Sequence, residues 1–445
     1  MKNINKIYKK CWALLLLTGF VALALNFSSC DDNSKGGSNT PMVINNVYLE
    51  DASSSVTDRL VTFGRLGQTV RLEGSGFNGV QKVYFNGVAS TFNTALMTDN
   101  NLWVQIPSKD VPIIDAAPDV HNTIILEKGD TKYSYAFEIM AAAPTITNIS
   151  HSMPQAGDVI TLTGTNLQGI TQVTFPGNLP GTNITSDDEN GTWCQVTVPN
   201  IGDNSGSILV VGANGGTYSQ ACFNYKKGLF HNFDDVQNFN WGQGVDNTAL
   251  TDVVPATTPL PNEPKSQGGY QVFNASANLA ANDVQKFWLN TAPIVSAMST
   301  LPASLTTDQC GIQMDIYVDG AWNSGLIRYV MADGYGNDKY CMLYQPIYPN
   351  GTAMDASLFV NPGCWFTITL PFSLSADFVG KTLGDVIAQM NQAKYLQTGP
   401  FLENSGIKNG DAVVFAPVTA TEKIYFDNIR IVPLTTPTYS DFPDE

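Results

Sequence analysis

The chain has 445 residues, a formal net charge of −16 at pH 7 and only three histidines. So acidic a protein is a poor partner for nucleic acids and anionic polysaccharides, because like charges repel. At about 150 residues per domain, the length predicts two to four domains.

The N-terminus has the order of a secretory signal peptide over residues 1–29. Residues 1–10 carry four lysines, and residues 12–25, "WALLLLTGFVALAL", are almost wholly apolar. This run is shorter than the about 20 residues that span a bilayer. Removal of the four lysines would change the formal charge from −16 to −20 and leave 416 residues.

The small residues of "FSSC" directly precede Cys30 and resemble a bacterial lipobox. The resemblance implies cleavage before Cys30 and lipidation of that residue, with an outer-membrane anchor. The aspartates that follow resemble the signal that places lipoproteins of Bacteroidota on the outside of the outer membrane. Residues 30–41 are predicted to form a flexible polar tether. The alternative is a soluble secreted protein in which Cys30 is incidental.

A duplication follows the tether. Residues 67–88 align without a gap onto residues 157–178, with identity at seven of the 22 positions, including Gly74 with Gly164. The same offset pairs Trp103 with Trp193, which favours one shared structural role for the two tryptophans.

Each copy consists of short alternating strands split by turn residues, which predicts a small β-sandwich. The order of strands and glycines in "PTITNIS" to "VTVP" resembles the IPT/TIG immunoglobulin-like family. The resemblance covers residues 42–140 and 144–225, with a hinge at 141–145 that Pro144 restricts. The first copy spells G-x-G-x-x-G, but "VQKVYFNG" continues as a strand, so a turn is favoured over a dinucleotide site.

Residues 226–445 hold four of the seven tryptophans and ten of the seventeen tyrosines. Six strand-like segments and one helical pattern over 382–396 predict a jelly-roll sandwich. The predicted fold class is all-β: tandem immunoglobulin-like (IPT/TIG) β-sandwiches followed by a larger jelly-roll domain.

The segments "FDD", "GCWFTITLPF" and "IYFDNIRIV" resemble strands of jelly-roll carbohydrate-binding modules. With the lipobox and the two IPT-like repeats, the chain resembles the surface glycan-binding proteins of polysaccharide utilisation loci. That resemblance implies capture of a polysaccharide for degradation and import, beside a TonB-dependent transporter and surface glycoside hydrolases. It also implies a stalk of immunoglobulin-like domains below the binding domain.

A glycan platform needs exposed aromatic rings near polar side chains, because a ring covers the C–H face of a sugar. Trp322 lies in a Gly/Asn/Ser turn and Tyr335 in "DGYGND", which makes both candidates. Tyr340, Tyr344 and Tyr348 share one face of a strand, which is either the platform or the core. The predicted glycan-binding residues are Trp322, Trp288, Tyr340, Tyr344, Tyr348, Tyr335 and Trp241. For Trp365, core packing is favoured over binding.

No cofactor is predicted. Asp234 or Asp235 together with Asp427 could begin a structural Ca²⁺ site, although calcium needs six to eight oxygens and solvated turn aspartates are the alternative. Cys194, Cys222, Cys310, Cys341 and Cys364 show no metal-ligand spacing and allow at most one or two disulfides, with simple burial the commoner outcome.

Two other functions stay open. A glycoside hydrolase needs two carboxylates roughly 5 to 10 Å apart, and nothing in the spacing of Asp315, Asp319, Asp333, Asp338 and Asp355 selects a pair. HExxH and GxSxG are absent. A protein-binding adhesin or structural subunit also fits tethered immunoglobulin-like repeats, but it does not need the clustered aromatics. We therefore expect a glycan-binding protein and no enzyme.

Overall fold

The computed structural model describes residues 40–50, 58–233, 251–254, 270–273, 279–331, 339–348, 354–393, 397–404, 408–409, 411–412 and 417–436. Strands dominate these residues, and the three successive β-sandwiches confirm the all-β expectation. We call the sandwiches domains 1, 2 and 3 in chain order.

Domain 1 contains strands β1 to β10. Their bounds are β1 Val43–Glu50, β2 Asp58–Leu60, β3 Phe63–Arg65, β4 Thr69–Ser75, β5 Lys82–Phe85, β6 Val88–Ser90, β7 Asn101–Gln105, β8 Thr123–Lys128, β9 Thr131–Ala136 and β10 Glu138–Met140. The sheets β2-β1-β4-β7 and β6-β5-β8-β9 enclose the core, and β3 pairs with β10. A strand follows the G-x-G-x-x-G segment, as expected from the sequence.

Domain 2 repeats this plan with strands β11 to β18. Their bounds are β11 Thr145–Ile149, β12 Val159–Thr165, β13 Gln172–Phe175, β14 Leu179–Pro180, β15 Thr182–Ser186, β16 Trp193–Thr197, β17 Leu209–Gly212 and β18 Gly215–Tyr218. The sheets are β11-β12-β16-β15 and β14-β13-β17-β18. The structure explains why both copies have glycine at Gly74 and Gly164. A Cβ atom at Gly74 would collide with the carbonyl oxygen of Val43, and one at Gly164 would collide with that of Thr145.

Domain 3 contains strands β19 to β31. Their bounds are β19 Leu229–His231, β20 Thr251–Val254, β21 Tyr270–Phe273, β22 Val284–Lys286, β23 Leu289–Asn290, β24 Cys310–Asp319, β25 Leu326–Val330, β26 Cys341–Tyr344, β27 Phe366–Pro371, β28 Gln397–Glu403, β29 Lys408–Asn409, β30 Asp411–Ala412 and β31 Lys423–Pro433. One sheet runs β20-β21-β31-β24-β27 with β19 on β31, and the other runs β22-β28-β25-β26 with β23 on β28.

Two α-helices accompany these sheets, α1 Thr291–Met298 and α2 Leu383–Gln392. Thr382 and Asp385 form a capping box at the start of α2, which explains why the predicted helix begins there. Within the described residues, no helix combines the length and apolarity needed to cross a bilayer.

The domain junctions are hydrogen-bonded. Between domains 1 and 2, Asn214 is fully buried, and its Oδ1 accepts a hydrogen bond from the Ala141 amide (2.7 Å). Arg65 donates to the carbonyl oxygens of Ala141 and Asn214. Between domains 2 and 3, the Thr367 amide donates to the Ser150 carbonyl, 2.8 Å away. Both junctions therefore restrict rotation of one domain against the next.

Candidate functional site

The outer face of the six-stranded sheet of domain 3 carries a cluster of aromatic side chains. In β24, Ile312, Met314 and Ile316 point into the main core, so the alternation of a strand directs Tyr317 to the opposite face. Tyr317 pairs with Tyr425 on β31. Phe366 of β27 pairs with Ile316 of β24. Because the two strands are antiparallel, Trp365, one residue before Phe366, lies opposite Tyr317.

We call Tyr270, Tyr317, Trp365 and Tyr425 the aromatic quartet. The ring centroid of Tyr317 lies 6.2 Å from the centroid of Trp365 and 5.6 Å from that of Tyr425. The ring centroid of Tyr270 lies 6.3 Å from the centroid of Trp365 and 5.8 Å from that of Tyr425. These separations are typical of attractive aromatic pairs. With Val272, the quartet forms a cluster separate from the core between the two sheets.

All four quartet rings are buried, and Trp365 (8%) and Tyr425 (7%) keep the most exposed surface of the four. Within the described chain, the Trp365 Nε1–H group has no hydrogen-bond partner although it is buried. An unsatisfied buried donor costs free energy, and a ligand oxygen would remove that cost. Burial raises the pKa of Tyr425 to about 12, and the Asp319 carboxylate adds to this shift, so the phenol stays a neutral donor.

Polar groups flank the quartet on the same sheet face. At one end, Asp319 pairs with Lys423, and both are half-buried. At the other end, the Thr367 hydroxyl donates to Asp315 (2.6 Å) and accepts from the Ser152 amide of domain 2 (2.8 Å). Hydrogen-bonding groups therefore lie at both ends of the quartet.

Asp315 and Arg430 join domain 2 to this face. Each is 1% exposed, and the Arg430 guanidinium binds both Asp315 oxygens at 2.9 and 3.1 Å. His151 of domain 2 lies 3.4 Å from the same carboxylate. Burial raises the pKa of Asp315, but the Arg430 guanidinium and the neighbouring His151 outweigh burial and hold the pKa well below its ordinary value. Asp315 is therefore an ionised structural residue.

The prediction that Trp322 forms an exposed platform is wrong. Its side chain is 1% exposed, and its Nε1 donates to the Gly325 carbonyl at 2.9 Å. The ring packs against Tyr344 and Phe359 in the main core. The predicted turn is present, but the Trp322 ring points into the core, and its hydrogen bond to Gly325 joins two residues of that turn.

Of the two interpretations of the periodic tyrosines, the structure favours the core. Tyr348 is 3% exposed and accepts from the Gly325 amide, while Tyr340 and Tyr344 are half-buried and pack against the same core. Burial raises the pKa of Tyr344 to about 12. Trp288 was also expected to be exposed, but it is 4% exposed and stands edge-on to Phe401, 4.7 Å away.

Trp365 is buried, as the sequence predicts, but it packs within the aromatic quartet and not in the main core. The alternation in "WFTITL" carried this signal, because Phe366, Ile368 and Leu370 point inward and Trp365 is out of phase with them. Tyr335, Trp241 and Cys30 lie outside the described residues.

The expected ligands of a calcium site are not brought together in the part of the chain that the structure describes. Asp427 is 1% exposed and accepts from the Asn428 amide, while Asp234 and Asp235 lie outside the described residues. Among the residues with described positions, no group of three acidic, histidine or cysteine side chains forms a metal site.

The cysteines follow the simpler expectation of burial. The buried cysteines are Cys194, Cys222, Cys310 and Cys341, and the Cys341 thiol donates a hydrogen bond to the Lys339 carbonyl oxygen. Cys364 is exposed. The five cysteines form no disulfide with one another.

Comparison with known proteins bears on the same region. Residues 223–433 match the family described as "Surface glycan-binding protein B xyloglucan binding domain". An IPT/TIG domain-containing protein of Bacteroides ovatus is 25% identical over 206 residues, which are 44% of this chain and 41% of that protein. The chain thus matches less than half of that relative's length.

The crystal structure of the surface glycan-binding protein PbSGBP-B from Prevotella bryantii aligns with a TM-score of 0.62 at 19% identity. The alignment covers 89% of this chain and 100% of that one, so the two share an overall fold. The structural match therefore shows a shared fold, and the family match concerns residues 223–433 alone.

Proposed function

We propose that this chain, which is similar to the surface glycan-binding B proteins, holds a neutral β-linked polysaccharide of the xyloglucan class on the outer face of its domain 3. The observation that carries the proposal is the aromatic quartet with its unpartnered Trp365 indole N–H. The family match over residues 223–433 supports the choice of polymer class.

The chemistry of the quartet suits an uncharged sugar chain. Indole and phenol rings cover the C–H faces of sugar rings and release water, while the indole N–H donates to a hydroxyl oxygen. Trp365 and Tyr425 would make the first contact, because they keep the most exposed surface of the four. The acidic chain would repel an anionic polymer.

The other parts of the chain would present this site at the cell surface. Lipidation of Cys30 would fix the chain to the outer membrane, and residues 30–41 would act as the tether. Domains 1 and 2 would form the stalk, whose junctions are hydrogen-bonded. Many anchored copies would hold one long polymer by avidity. A TonB-dependent transporter and surface glycoside hydrolases would then use the captured polymer, and the chain itself would catalyse no reaction.

Native affinity electrophoresis of the whole chain tests the proposal. Gels would contain xyloglucan, mixed-linkage glucan, galactomannan or no polymer, and would compare the wild type with Trp365→Ala. Leu358→Ala is the matched control, because Leu358 is 50% exposed and lies outside the quartet. We expect xyloglucan to retard the wild type and Leu358→Ala but not Trp365→Ala.

Two results would overturn the proposal. One is the absence of retardation of the wild type by any neutral polymer. The other is a folded Trp365→Ala variant that still binds like the wild type, which would make the quartet a minor structural core.

A further inference from the structure

Domain 2 exposes a second uncharged surface that carries a tryptophan. Its sheet β11-β12-β16-β15 reads "TITNI", "VITLTGT", "WCQVT" and "TNITS" along the four strands. In this fully described domain, none of these residues is charged, although the chain carries a net charge of −16. We call the outward side of this sheet the threonine face.

Trp193 stands on the threonine face. It is 36% exposed, while its neighbours Cys194 and Val196 point into the domain 2 core. Trp193 pairs with Thr163, and beside it Gln195 donates to the Thr161 hydroxyl at 3.2 Å. Among the described residues, the Trp193 indole N–H makes no hydrogen bond. A flat ring thus lies among hydroxyl and amide groups.

The paired tryptophan of domain 1 has a different environment. Trp103 donates from Nε1 to Glu50 at 2.9 Å, and Arg71 lies opposite it, with the guanidinium carbon 6.0 Å from the ring. Arg71 also binds Asp58 at 2.6 Å. The expectation of one shared structural role is therefore wrong, since the ionic groups that engage Trp103 have no counterpart at Trp193.

The acidic turn next to Trp193 is satisfied by its own residues. The Asp187 carboxylate accepts hydrogen bonds from the Thr192 amide and hydroxyl and from the Asn190 amide, and these bonds lower its pKa. The Asp187 carboxylate would repel an anionic ligand. A neutral ligand could bind beside it without breaking these hydrogen bonds.

We propose that the threonine face around Trp193 is a second binding site for neutral polysaccharide. Uncharged hydroxyl and amide groups around one exposed ring match a polyhydroxylated, uncharged polymer. A protein partner for this acidic chain would be expected to engage complementary charge, which this face lacks. The inference takes only the choice of polymer from the proposed function.

The position of Trp193 lets one polymer reach both sites. The Ser150 amide donates to the Thr161 carbonyl, and the Ser150 carbonyl accepts from the Thr367 amide of domain 3. Thr367 is two residues from Trp365. A path along the backbone therefore runs from Trp193 across to Thr163, along β12 to Thr161, across to Ser150 and Thr367, and along the chain to Trp365. With about 4.8 Å for each step between strands and about 3.3 Å for each residue along a strand, the Trp193 and Trp365 backbones are at most roughly 30 Å apart.

Isothermal titration calorimetry on the whole chain tests the inference with polymeric xyloglucan and with a short xyloglucan oligosaccharide. We expect Trp193→Ala to weaken the polymer affinity about three- to tenfold, the cost of one aromatic contact. The short oligosaccharide, which can occupy only one site, should bind at the domain 3 site as in the wild type. Leu60→Ala is the control, since Leu60 is 60% exposed and lies on domain 1.

A second pair of variants separates this inference from the proposed function. In the Trp365→Ala background, polymer binding too weak to retard the protein in a gel should remain in the calorimeter, and it should be lost when Trp193→Ala is added. If Trp365→Ala abolishes binding and Trp193→Ala changes nothing, the inference is overturned and the proposed function stands. If only Trp193→Ala weakens binding, the proposed domain 3 site fails and the inference stands. Unchanged melting temperatures establish that each variant is folded.

Discussion

Replacement of Arg430 by methionine should destabilise domain 3 strongly. The guanidinium is 1% exposed and donates to five acceptors: the two Asp315 oxygens, the Gln313 side chain, the Thr367 hydroxyl and the Asn428 carbonyl. Methionine fills a similar volume but supplies no charge and no donor. Asp315, itself 1% exposed, would keep only the weaker partners around it.

The expected cost follows from an uncompensated buried carboxylate. Removing one partner of a buried ion pair costs about 3–5 kcal/mol. The pH dependence should also reverse. In the wild type the pKa of Asp315 is lowered, so its contribution is complete above the ordinary pKa and is lost as pH falls through the folded value. In Arg430→Met, burial would raise the pKa of Asp315, so stability should fall as pH rises.

Urea unfolding of the whole chain at pH 5 and pH 7.5 measures both effects, with the transition of domain 3 fitted separately because a multidomain chain is not two-state. Lys423→Met is the matched control, since Lys423 lies half-buried on the same strand. The double variant Arg430→Met with Asp315→Leu should recover much of the loss. A loss below about 1 kcal/mol for Arg430→Met at pH 7.5, or a double variant no more stable than the single one, would refute this reasoning.

Three further outcomes are expected. Trp322→Ala should cost about 3–5 kcal/mol, because it empties a large core site; a melting temperature within two or three degrees of the wild type would contradict its buried position. Burial lowers the pKa of His231 from 6.5 to about 4. The contribution of His231 to the free energy of unfolding should therefore be complete above pH 6.5 and fall by about 3 kcal/mol as the pH drops towards 4. Urea unfolding across this range measures the fall, and His231→Phe should remove this part of the pH dependence. Iodoacetamide at pH 8 should label exposed Cys364 before Cys194 and Cys310, because burial raises the pKa of Cys194 to about 11 and that of Cys310 to about 12; peptide mass spectrometry reads the order.

The fold was largely predictable, because its signals are local. The alternation of Ile312, Met314 and Ile316 defines β24 and its core face, and the Thr382 capping box marks the start of α2. The repeat at an offset of 90 residues identified domain 2 from domain 1. The strand and helix signals are each complete within a segment shorter than a domain, and the repeat is a comparison of two such segments.

The site was less predictable, because exposure depends on contacts between distant segments. Trp322 lies in a turn of polar residues, and only its packing against Tyr344 and Phe359 shows that the turn folds over the ring. For Trp365 and Tyr425 the sequence did carry a signal, since both are out of phase with the core residues of their strands. Strand pairing was still needed to bring the two residues together with Tyr270, which lies about 95 residues before Trp365 in the chain.

The hydrogen-bonded junctions determine how two glycan sites on this chain would cooperate. With a flexible linker, the effective concentration of the second site would fall as the linker lengthened. Here, Thr367, Ser150 and Ser152 bind domain 2 to the sheet face that holds the quartet, so the spacing between the threonine face and the quartet is fixed by folded structure. A polymer bound at one site would then meet the other without an entropic cost for ordering the protein.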